Sequence, residues 1–307
     1  MDSIHKPVML DEALTYLITD KSGVYFDGTL GFAGHADEFL HVLDNDALYV
    51  ATEVDDVAFK YCSEHFQNNR RVKLFKMNFS RIDIVTKIQS VEKYDGIFAD
   101  LGVSSHQLDE PSQGFSYRAE TTLDLRLDKS LPQTGSDVLN SLGEHEIADL
   151  LYHFGEEKNS RIIARKVVER RIIKPVTSTK DLVEVVSSVT PERFLRKSLS
   201  RVFQALRIYV NDEMGMLKEF LRKTTALLKP GGRLVVISYH SIEDRIVKEH
   251  IKYEELSCIC PPSIPVCVCN KEKRLKAITR KPLLPTETEV ENNYRSRSAK
   301  MRVAERI

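Results

Sequence analysis

The sequence lacks the features that would place a chain at a membrane or outside the cell. No run of apolar residues approaches the ~18 that a membrane span requires. The first ten residues have neither the apolar core of a signal peptide nor the basic character of a transit peptide. We therefore predict a soluble cytoplasmic protein with no membrane partner. The net charge is zero, which excludes little, because a nucleic-acid partner needs only a local basic face.

Cysteine is scarce and unevenly placed. Of the five cysteines, Cys62 stands alone, and the others form two C-x-C pairs, at Cys258, Cys260, Cys267 and Cys269. Structural disulfides are not expected in a reducing cytosol. Four thiolates this close in sequence could bind Zn²⁺, although C-x-C is tighter than the usual C-x-x-C of zinc knuckles. Zinc and exposed or regulatory thiols both remain open, so no metal site is assigned.

The first third of the chain alternates strand-like and helix-like segments. Strands are predicted at 24–27, 47–52, 72–77 and 96–100, and helices at 36–43, 56–66 and 82–90. Two of the strands are near-continuous apolar runs, as in buried parallel sheets. Repeated βαβ units of this kind predict an α/β fold with a doubly wound parallel sheet.

Between residues 106 and 207 the pattern becomes helical, with helices predicted at 144–152, 159–171 and 180–189. Ser178 and Asp181 have the spacing of a capping box ahead of the third helix. The sheet resumes with a helix at 202–228, a Lys-Pro-Gly-Gly turn, a strand at 233–239 and a helix at 242–253. Two paired strands at the edge of the sheet are predicted at 277–281 and 299–304, with a loop at 282–297 between them. We therefore predict a sheet domain of residues 1–105 and 208–307, interrupted by a helical domain of residues 106–207.

A glycine-dense turn follows the first strand. Gly28, Gly31 and Gly34 fall at every third position between the strand and the next helix. Such a turn brings backbone close to a nucleotide-like ligand, because glycine adopts positive φ and has no Cβ. The alternative is an ordinary tight connection. The spacing is not G-x-G-x-x-G, which argues against a nicotinamide-dependent oxidoreductase.

Polar and aromatic side chains follow the other strands. Glu53 lies about twenty residues beyond the glycine turn, where an acid binds ribose hydroxyls in nucleotide-binding sheets, while Asp55 is predicted to cap the next helix. Phe79 offers a flat surface to an adenine ring, and ordinary core packing is the alternative. Asp100 could orient or deprotonate an amine, with helix capping as the alternative. Further polar candidates at this edge are Ser104, Ser105, Gln107 and His240.

Two basic clusters are candidates for phosphate contacts. The first lies in a stretch, 193–207, that contains no acidic residue, and it comprises Arg193, Arg196, Lys197, Arg201 and Arg207. The second comprises Lys271, Lys273, Arg274, Lys276, Arg280 and Lys281. Each cluster could equally be a solvated helix face. We predict that both flank an RNA.

Eight motifs in family order make this chain resemble the RsmH (MraW) family of S-adenosylmethionine-dependent methyltransferases. They lie at residues 5–12, 27–35, 100–109, 114–116, 123–128, 154–157, 203–208 and 237–245. Only the cysteine-bearing segment, about 254–276, is unmatched. The resemblance implies a class I, Rossmann-like methyltransferase domain with an inserted all-helical substrate-recognition domain. It also implies N4-methylation of a cytidine in the decoding region of bacterial 16S ribosomal RNA, within the small ribosomal subunit.

The resemblance assigns roles by position. The cofactor-binding Gly-Gly-His of the family corresponds to Ala33, Gly34 and His35, and its ribose acid falls on Glu53. Its remaining cofactor contacts fall on Phe79, Asp100 and Gln107, with Asp100 also the candidate catalytic residue. Alanine at 33 is acceptable only if its φ is negative, which we expect. The candidate substrate contacts are Ser104, Ser105, Arg196, Lys197, Arg207 and His240.

One alternative function remains open, a non-catalytic RNA-binding ribosome-assembly factor that retains the fold. The sequence does not determine the oligomeric state, and a homodimer is compatible with it.

Overall fold

A computed structural model describes residues 7–102, 114–117, 119–263 and 266–307. The chain divides into two compact units, one formed by Met1–Gly102 with Met214–Ile307 and the other by Val103–Glu213. Each unit has its own apolar core. Within the described residues, no helix has both the length and the hydropathy to cross a membrane.

The first unit is built on a sheet that has seven strands among the described residues. They are β1 Val24–Asp27, β2 Leu48–Glu53, β3 Val72–Lys76, β4 Tyr94–Asp100, β5 Leu228–Ser238, β6 Leu275–Ala277 and β7 Lys300–Arg306. Their order is β3-β2-β1-β4-β5-β7-β6. β1 to β5 are parallel, whereas β7 runs antiparallel to both β5 and β6. The predicted doubly wound α/β fold is confirmed.

Helices cover both faces of this sheet. They are α1 Leu10–Leu17, α2 Gly34–Val42, α3 Asp56–His65, α4 Ile82–Ile88, and, after the second unit, α10 Glu213–Leu227, α11 Ser241–Glu254 and α12 Glu287–Asn292. Successive strand residues point to opposite faces. Tyr49 and Ala51 accordingly belong to one core cluster and Val50 to the other. Burial on both faces explains why the central strands are continuously apolar.

The second unit consists of helices around a separate core. They are α5 Gly135–Ser141, α6 Glu144–Gly155, α7 Ser160–Ile173, α8 Thr179–Ser187 and α9 Glu192–Val210. The predicted capping box of α8 is present, since Ser178 Oγ accepts from the backbone N–H of Asp181 and the Asp181 carboxylate accepts from the N–H of Ser178.

The single long helix predicted at 202–228 is wrong. α9 ends at Val210 and α10 begins at Glu213, with Asp212 between them at a positive φ of 46°. The side chain of Asn211 accepts from Leu127 N–H and donates to Leu125 O. These tertiary bonds hold Asn211 at the end of α9. β5 also starts earlier than predicted, so the Lys-Pro-Gly-Gly segment forms an irregular first part of the strand.

The C-terminal edge confirms the predicted strand pair but shifts it along the sequence. β6 lies before most of the segment predicted for it, whereas β7 matches its prediction closely. The predicted loop at 282–297 is wrong in part, because it contains α12 and a 3₁₀ turn, Tyr294–Ser298. None of the α12 residues is buried, so no apolar periodicity marks this helix in the sequence.

A buried ion pair joins α11 to β7, and we expect it to matter for stability. Arg302 donates to Asp244 through Nε (2.6 Å) and Nη2 (3.2 Å). Arg302→Ala leaves the buried Asp244 carboxylate with only Lys300 Nζ, 3.7 Å from its Oδ2, and should lower the free energy of unfolding by about 3 kcal/mol, as measured by urea denaturation. Arg222→Ala, which removes an exposed pair with Glu219, is the matched control. Equal denaturation midpoints for the two variants would contradict this account.

Candidate functional site

Five strands of the first unit end at one edge of the sheet, and most predicted site residues lie there. Because β1 to β5 are parallel, their carboxyl ends share this edge, where doubly wound folds bind ligands. Asp27, Glu53 and Asp100 are the last residues of β1, β2 and β4, and Phe79 and His240 lie shortly after β3 and β5. Ser104, Ser105 and Gln107 lie outside the described residues. We call this set of strand ends the carboxyl edge.

The glycine turn is tied to the neighbouring strands by its backbone. Gly28 N–H donates to Phe98 O (2.9 Å) and Leu30 N–H donates to Thr52 O (3.2 Å). A Cβ on Gly28 would lie 2.9 Å from Phe79 Cβ, whereas one on Gly31 would meet no atom within 4 Å. The turn is therefore closely packed at Gly28 and open at Gly31, which has a positive φ of 54°. Backbone at Gly31 is free to approach a ligand closely.

Ala33 does not have the negative φ that we expected. Its φ is 67° and its ψ is 11°, in the left-handed region, immediately before α2. Its carbonyl accepts from Asp37 N–H and its N–H donates to Leu30 O. The turn imposes this conformation, which costs an L-residue about 1–2 kcal/mol. Gly34 and His35 begin α2 directly after it.

Glu53 turns its carboxylate towards the glycine turn. Oε2 accepts from Gly31 N–H (2.7 Å), and Oε1 accepts from Val54 and Asp55 N–H. Burial raises the pKa of Glu53, while these backbone donors act in the opposite direction. Asp55 caps α3, as predicted, by accepting from Val57 and Ala58 N–H. Glu53 is thus the strand-end acid that faces the ligand side of the turn.

Asp100 is held by groups from two neighbouring strands. The hydroxyl of Tyr239, at the end of β5, donates to Asp100 Oδ1 (2.8 Å). The backbone N–H of Asp100 donates to Thr29 Oγ1 in the glycine turn. Burial raises the pKa of Asp100 to about 7, with the negative charges of Asp27 and Glu243 adding to the shift and the Tyr239 hydrogen bond opposing it. This carboxyl group can therefore gain or lose a proton near neutral pH.

Asp27 and Tyr239 are site residues that sequence analysis did not single out. Asp27 is 1% exposed and accepts from the Tyr49 hydroxyl (2.7 Å) and from Thr29 N–H. Burial raises the pKa of Asp27 to about 6. An acid directly before a glycine turn is a usable signal for Asp27. For Tyr239, the signal is its place at the end of a strand that neighbours β4.

His35 connects the start of the chain to the carboxyl edge. Its Nε2 lies 2.9 Å from Val8 O, and because a carbonyl only accepts, Nε2 carries the proton. Its Nδ1 lies 3.7 Å from Asp100 Oδ2, and its ring packs on Phe98 with the centroids 4.9 Å apart. His35 thus contributes a wall of the site next to Asp100.

Phe79 and His240 also have structural contacts. The Phe79 ring is half-buried and packs edge-on against Phe220, with the centroids 5.0 Å apart. His240 caps α11, since its Nδ1 accepts from Glu243 N–H (3.4 Å), and its Nε2 lies 3.0 Å from Glu243 Oε1. Phe79 is thus only partly buried, whereas the capping contact leaves His240 little freedom to reorient towards a substrate.

The basic candidates divide into exposed and paired side chains. Arg196 and Lys197 are exposed on α9. Arg207 instead makes a two-point ion pair with Glu213, at 2.8 and 2.9 Å. In the second cluster Lys271 and Arg274 pair with Glu254, and the exposed members are Lys273, Lys276, Arg280 and Lys281. Both clusters therefore keep exposed basic side chains that are available for phosphate contacts.

Comparison with known proteins gives consistent results over the whole chain. A family model described as the MraW methylase family matches residues 2–307. The chain is 45% identical to the ribosomal RNA small subunit methyltransferase H of Caldicellulosiruptor saccharolyticus, with 99% of each chain covered. It is 43% identical to the protein of the same name from Carboxydothermus hydrogenoformans, with 100% and 99% covered. An rRNA methylase structure from Streptococcus thermophilus aligns at a TM-score of 0.41 and 11% identity, covering 99% of each chain.

The left-handed conformation of residue 33 leads to a prediction that compares two alanine-to-glycine substitutions. Both alanines are fully buried, so both variants lose a buried methyl group. Ala33→Gly should change the free energy of unfolding by less than about 1 kcal/mol, because relief of the positive φ offsets this loss and the greater backbone entropy of glycine. Ala36→Gly, in the right-handed first turn of the same helix, should lower it by about 1 kcal/mol or more. Chemical denaturation of both variants measures the difference, and equal destabilisation would show that φ at residue 33 is not the controlling factor.

Proposed function

The chain belongs to the MraW methylase family, and from that premise we propose that it methylates N4 of a cytidine in the decoding region of 16S ribosomal RNA. The family match confirms the predictions of a class I methyltransferase and of S-adenosylmethionine as its cofactor. The names of the relatives support small-subunit ribosomal RNA as the substrate. A ribosomal substrate also implies a cytoplasmic location.

The carboxyl edge has the groups that S-adenosylmethionine requires. The open backbone at Gly31 suits close contact with the ligand, and the Glu53 carboxylate is positioned for ribose hydroxyls. We infer that the partly buried Phe79 ring contacts the adenine ring. Asp100, between His35 and Tyr239, is placed for the reacting end of the ligand. When bound, the cofactor supplies an electrophilic methyl group on a sulfonium sulfur.

Asp100 carries the chemical part of the proposal. The N4 lone pair of cytosine is shared with the ring, so the amine is a poor nucleophile. A carboxylate that accepts a hydrogen bond from N4–H favours a pyramidal nitrogen and aligns its lone pair with the methyl group. The Tyr239 hydroxyl holds Asp100 Oδ1 in place. As the N–C bond forms and the sulfur–methyl bond breaks, N4 must lose one proton, which passes to Asp100 or to water.

The second unit offers features suited to single-stranded RNA. Arg196 and Lys197 are exposed on α9. On the same helix the Phe194 ring is 53% exposed, and the Arg193 guanidinium lies 4.7 Å from its centroid. Exposed aromatic rings stack on unpaired bases, and basic side chains contact phosphates. We propose that this end of α9 binds the RNA around the target cytidine, which must leave its stack to react.

The proposal predicts a pH-dependent activity that requires Asp100. The carboxylate form is needed, so kcat/KM should rise with pH through about 7, the pKa of Asp100 in the free protein. Asp100→Asn should reduce kcat at least 100-fold and remove this pH dependence. Initial rates of labelled methyl transfer to 30S subunits, measured over a range of S-adenosylmethionine concentrations, give both kcat/KM for S-adenosylmethionine and kcat. Retained S-adenosylhomocysteine binding controls for folding, and a variant with wild-type kcat would contradict the assigned role.

A second prediction separates RNA binding from cofactor binding. The double variant R196E/K197E should weaken RNA affinity at least tenfold, with a reduced salt dependence, because phosphate contacts are lost. Its cofactor affinity should not change. The control is K87E/K93E, which reverses the same number of charges at exposed positions in the last turn of α4 and directly before β4, at the opposite edge of the sheet. RNA affinity equal to that of the wild type would remove α9 from the proposed interface.

A direct assay distinguishes the enzyme from a non-catalytic assembly factor. Purified protein and labelled S-adenosylmethionine are incubated with intact 30S subunits or with naked 16S RNA. The RNA is then digested to nucleosides, to identify the modified base, and separately to oligonucleotides, to locate it, and both digests are read by mass spectrometry. N4-methylcytidine at one position supports the proposal, and the two substrates show whether ribosomal proteins are required. RNA binding without any methyl transfer would favour the assembly factor.

A further inference from the structure

The four cysteines between α11 and β6 lie together, although the sequence alone left their role open. Their sulfur atoms are all within 4.8 Å of one another. Neighbouring pairs are separated by 4.0 Å for Cys260–Cys267, 3.5 Å for Cys267–Cys269 and 3.9 Å for Cys269–Cys258. The two C-x-C pairs therefore form one group of four sulfurs, which we call the thiol cluster.

The spacing of the thiol cluster matches a tetrahedral metal site. A zinc–sulfur bond of about 2.3 Å places the sulfurs of a tetrahedral site about 3.8 Å apart. Paired disulfide sulfurs would lie at about 2.05 Å. An iron–sulfur cluster would hold its thiolates further apart, because irons and sulfides lie between them. The observed separations of 3.5–4.0 Å are those of four thiolates around one ion.

Backbone donors point at these sulfurs. Ile259 N–H donates to Cys269 Sγ (3.3 Å), Cys260 N–H to Cys258 Sγ (3.4 Å) and Val268 N–H to Cys260 Sγ (3.4 Å). Hydrogen bonds of this kind stabilise the thiolate form that binds metals and orient the ligands around the ion. Two of the three donors connect one C-x-C pair to the other. The short spacing is thus compatible with a closed site.

The cysteine segment has no apolar core of its own. Among its described residues, 257–263 and 266–270, none is buried. Ile259, Val266 and Val268 are exposed by 47%, 69% and 68%. Since apolar burial does not order this segment, a metal cross-link is the interaction able to do so, as in small zinc-ordered modules.

We propose that Cys258, Cys260, Cys267 and Cys269 bind one structural Zn²⁺ ion in a closed four-thiolate site. The ion carries no reacting group, because all four positions are taken by protein ligands. Four thiolates and Zn²⁺ leave a net charge of about −2. Of the basic residues that follow, Lys271 and Arg274 pair with Glu254, and Lys273 is exposed. Zinc thereby orders the connection between α11 and the edge strand β6, independently of the methyl-transfer proposal.

The test is metal analysis of the full-length protein purified under reducing conditions with zinc present. Mass spectrometry of the metals should find one zinc per chain, and Co²⁺ substitution should give intense thiolate-to-metal bands and the d–d bands of tetrahedral cobalt. Cys260→Ser with Cys267→Ser should lose at least 90% of the zinc. Ser257→Ala with Ser263→Ala, at exposed positions in the same segment, should retain it.

A second measurement uses the wild-type protein, so that the test does not depend on how well the cysteine variants fold. Wild-type protein treated with a zinc chelator should become sensitive to protease cleavage within 257–270, and added zinc should restore protection. The helical circular dichroism signal should change little, because the rest of the unit has its own core. Absence of zinc uptake by the reduced protein would overturn the proposal. Iron in the purified protein, or protease sensitivity unaffected by zinc, would overturn it as well.

Discussion

Carboxylates buried at one edge of a parallel sheet are the constraint on which this structure depends. Asp27, Glu53 and Asp100 end three adjacent strands, and burial raises the pKa of each. Acids that are this poorly solvated and this close together cost stability when ionised. The cost is offset when a cation enters the site. Under the proposed function, S-adenosylmethionine brings such a cation, its sulfonium, so the site that is unfavourable for the empty protein becomes favourable for the bound one.

Contacts that are distant in sequence hold these acids in place. Tyr49 on β2 donates to Asp27, and Tyr239 after β5 donates to Asp100. Thr29 in the glycine turn bonds both neighbouring strand ends, through its N–H to Asp27 and through its Oγ1 to the N–H of Asp100. The sheet order that sets β1 between β2 and β4 brings these partners together. The strand pairing therefore determines both the fold and the geometry of the site.

Much of this arrangement is predictable from sequence, and the failures have physical causes. The central strands are predictable because burial on both faces makes them continuously apolar, and Asp55 and Ser178 follow local capping rules. The break between α9 and α10 is not predictable from the sequence, because it depends on hydrogen bonds from Asn211 to Leu125 and Leu127. The positive φ of Ala33 is imposed by the turn against the preference of the residue. Tyr239 needs the strand order before its link to Asp100 can be inferred.

Proton release on ligand binding tests the central electrostatic claim most directly. Calorimetric titrations at pH 6.5, in buffers of different ionisation enthalpy, count the protons released when a ligand binds. S-adenosylmethionine should release up to about 0.75 proton per site, the fraction of Asp100 that is protonated at pH 6.5, because its sulfonium charge lowers the pKa of Asp100 from about 7. S-adenosylhomocysteine has no sulfonium charge and should release clearly less. Equal proton release by the two ligands would contradict the account.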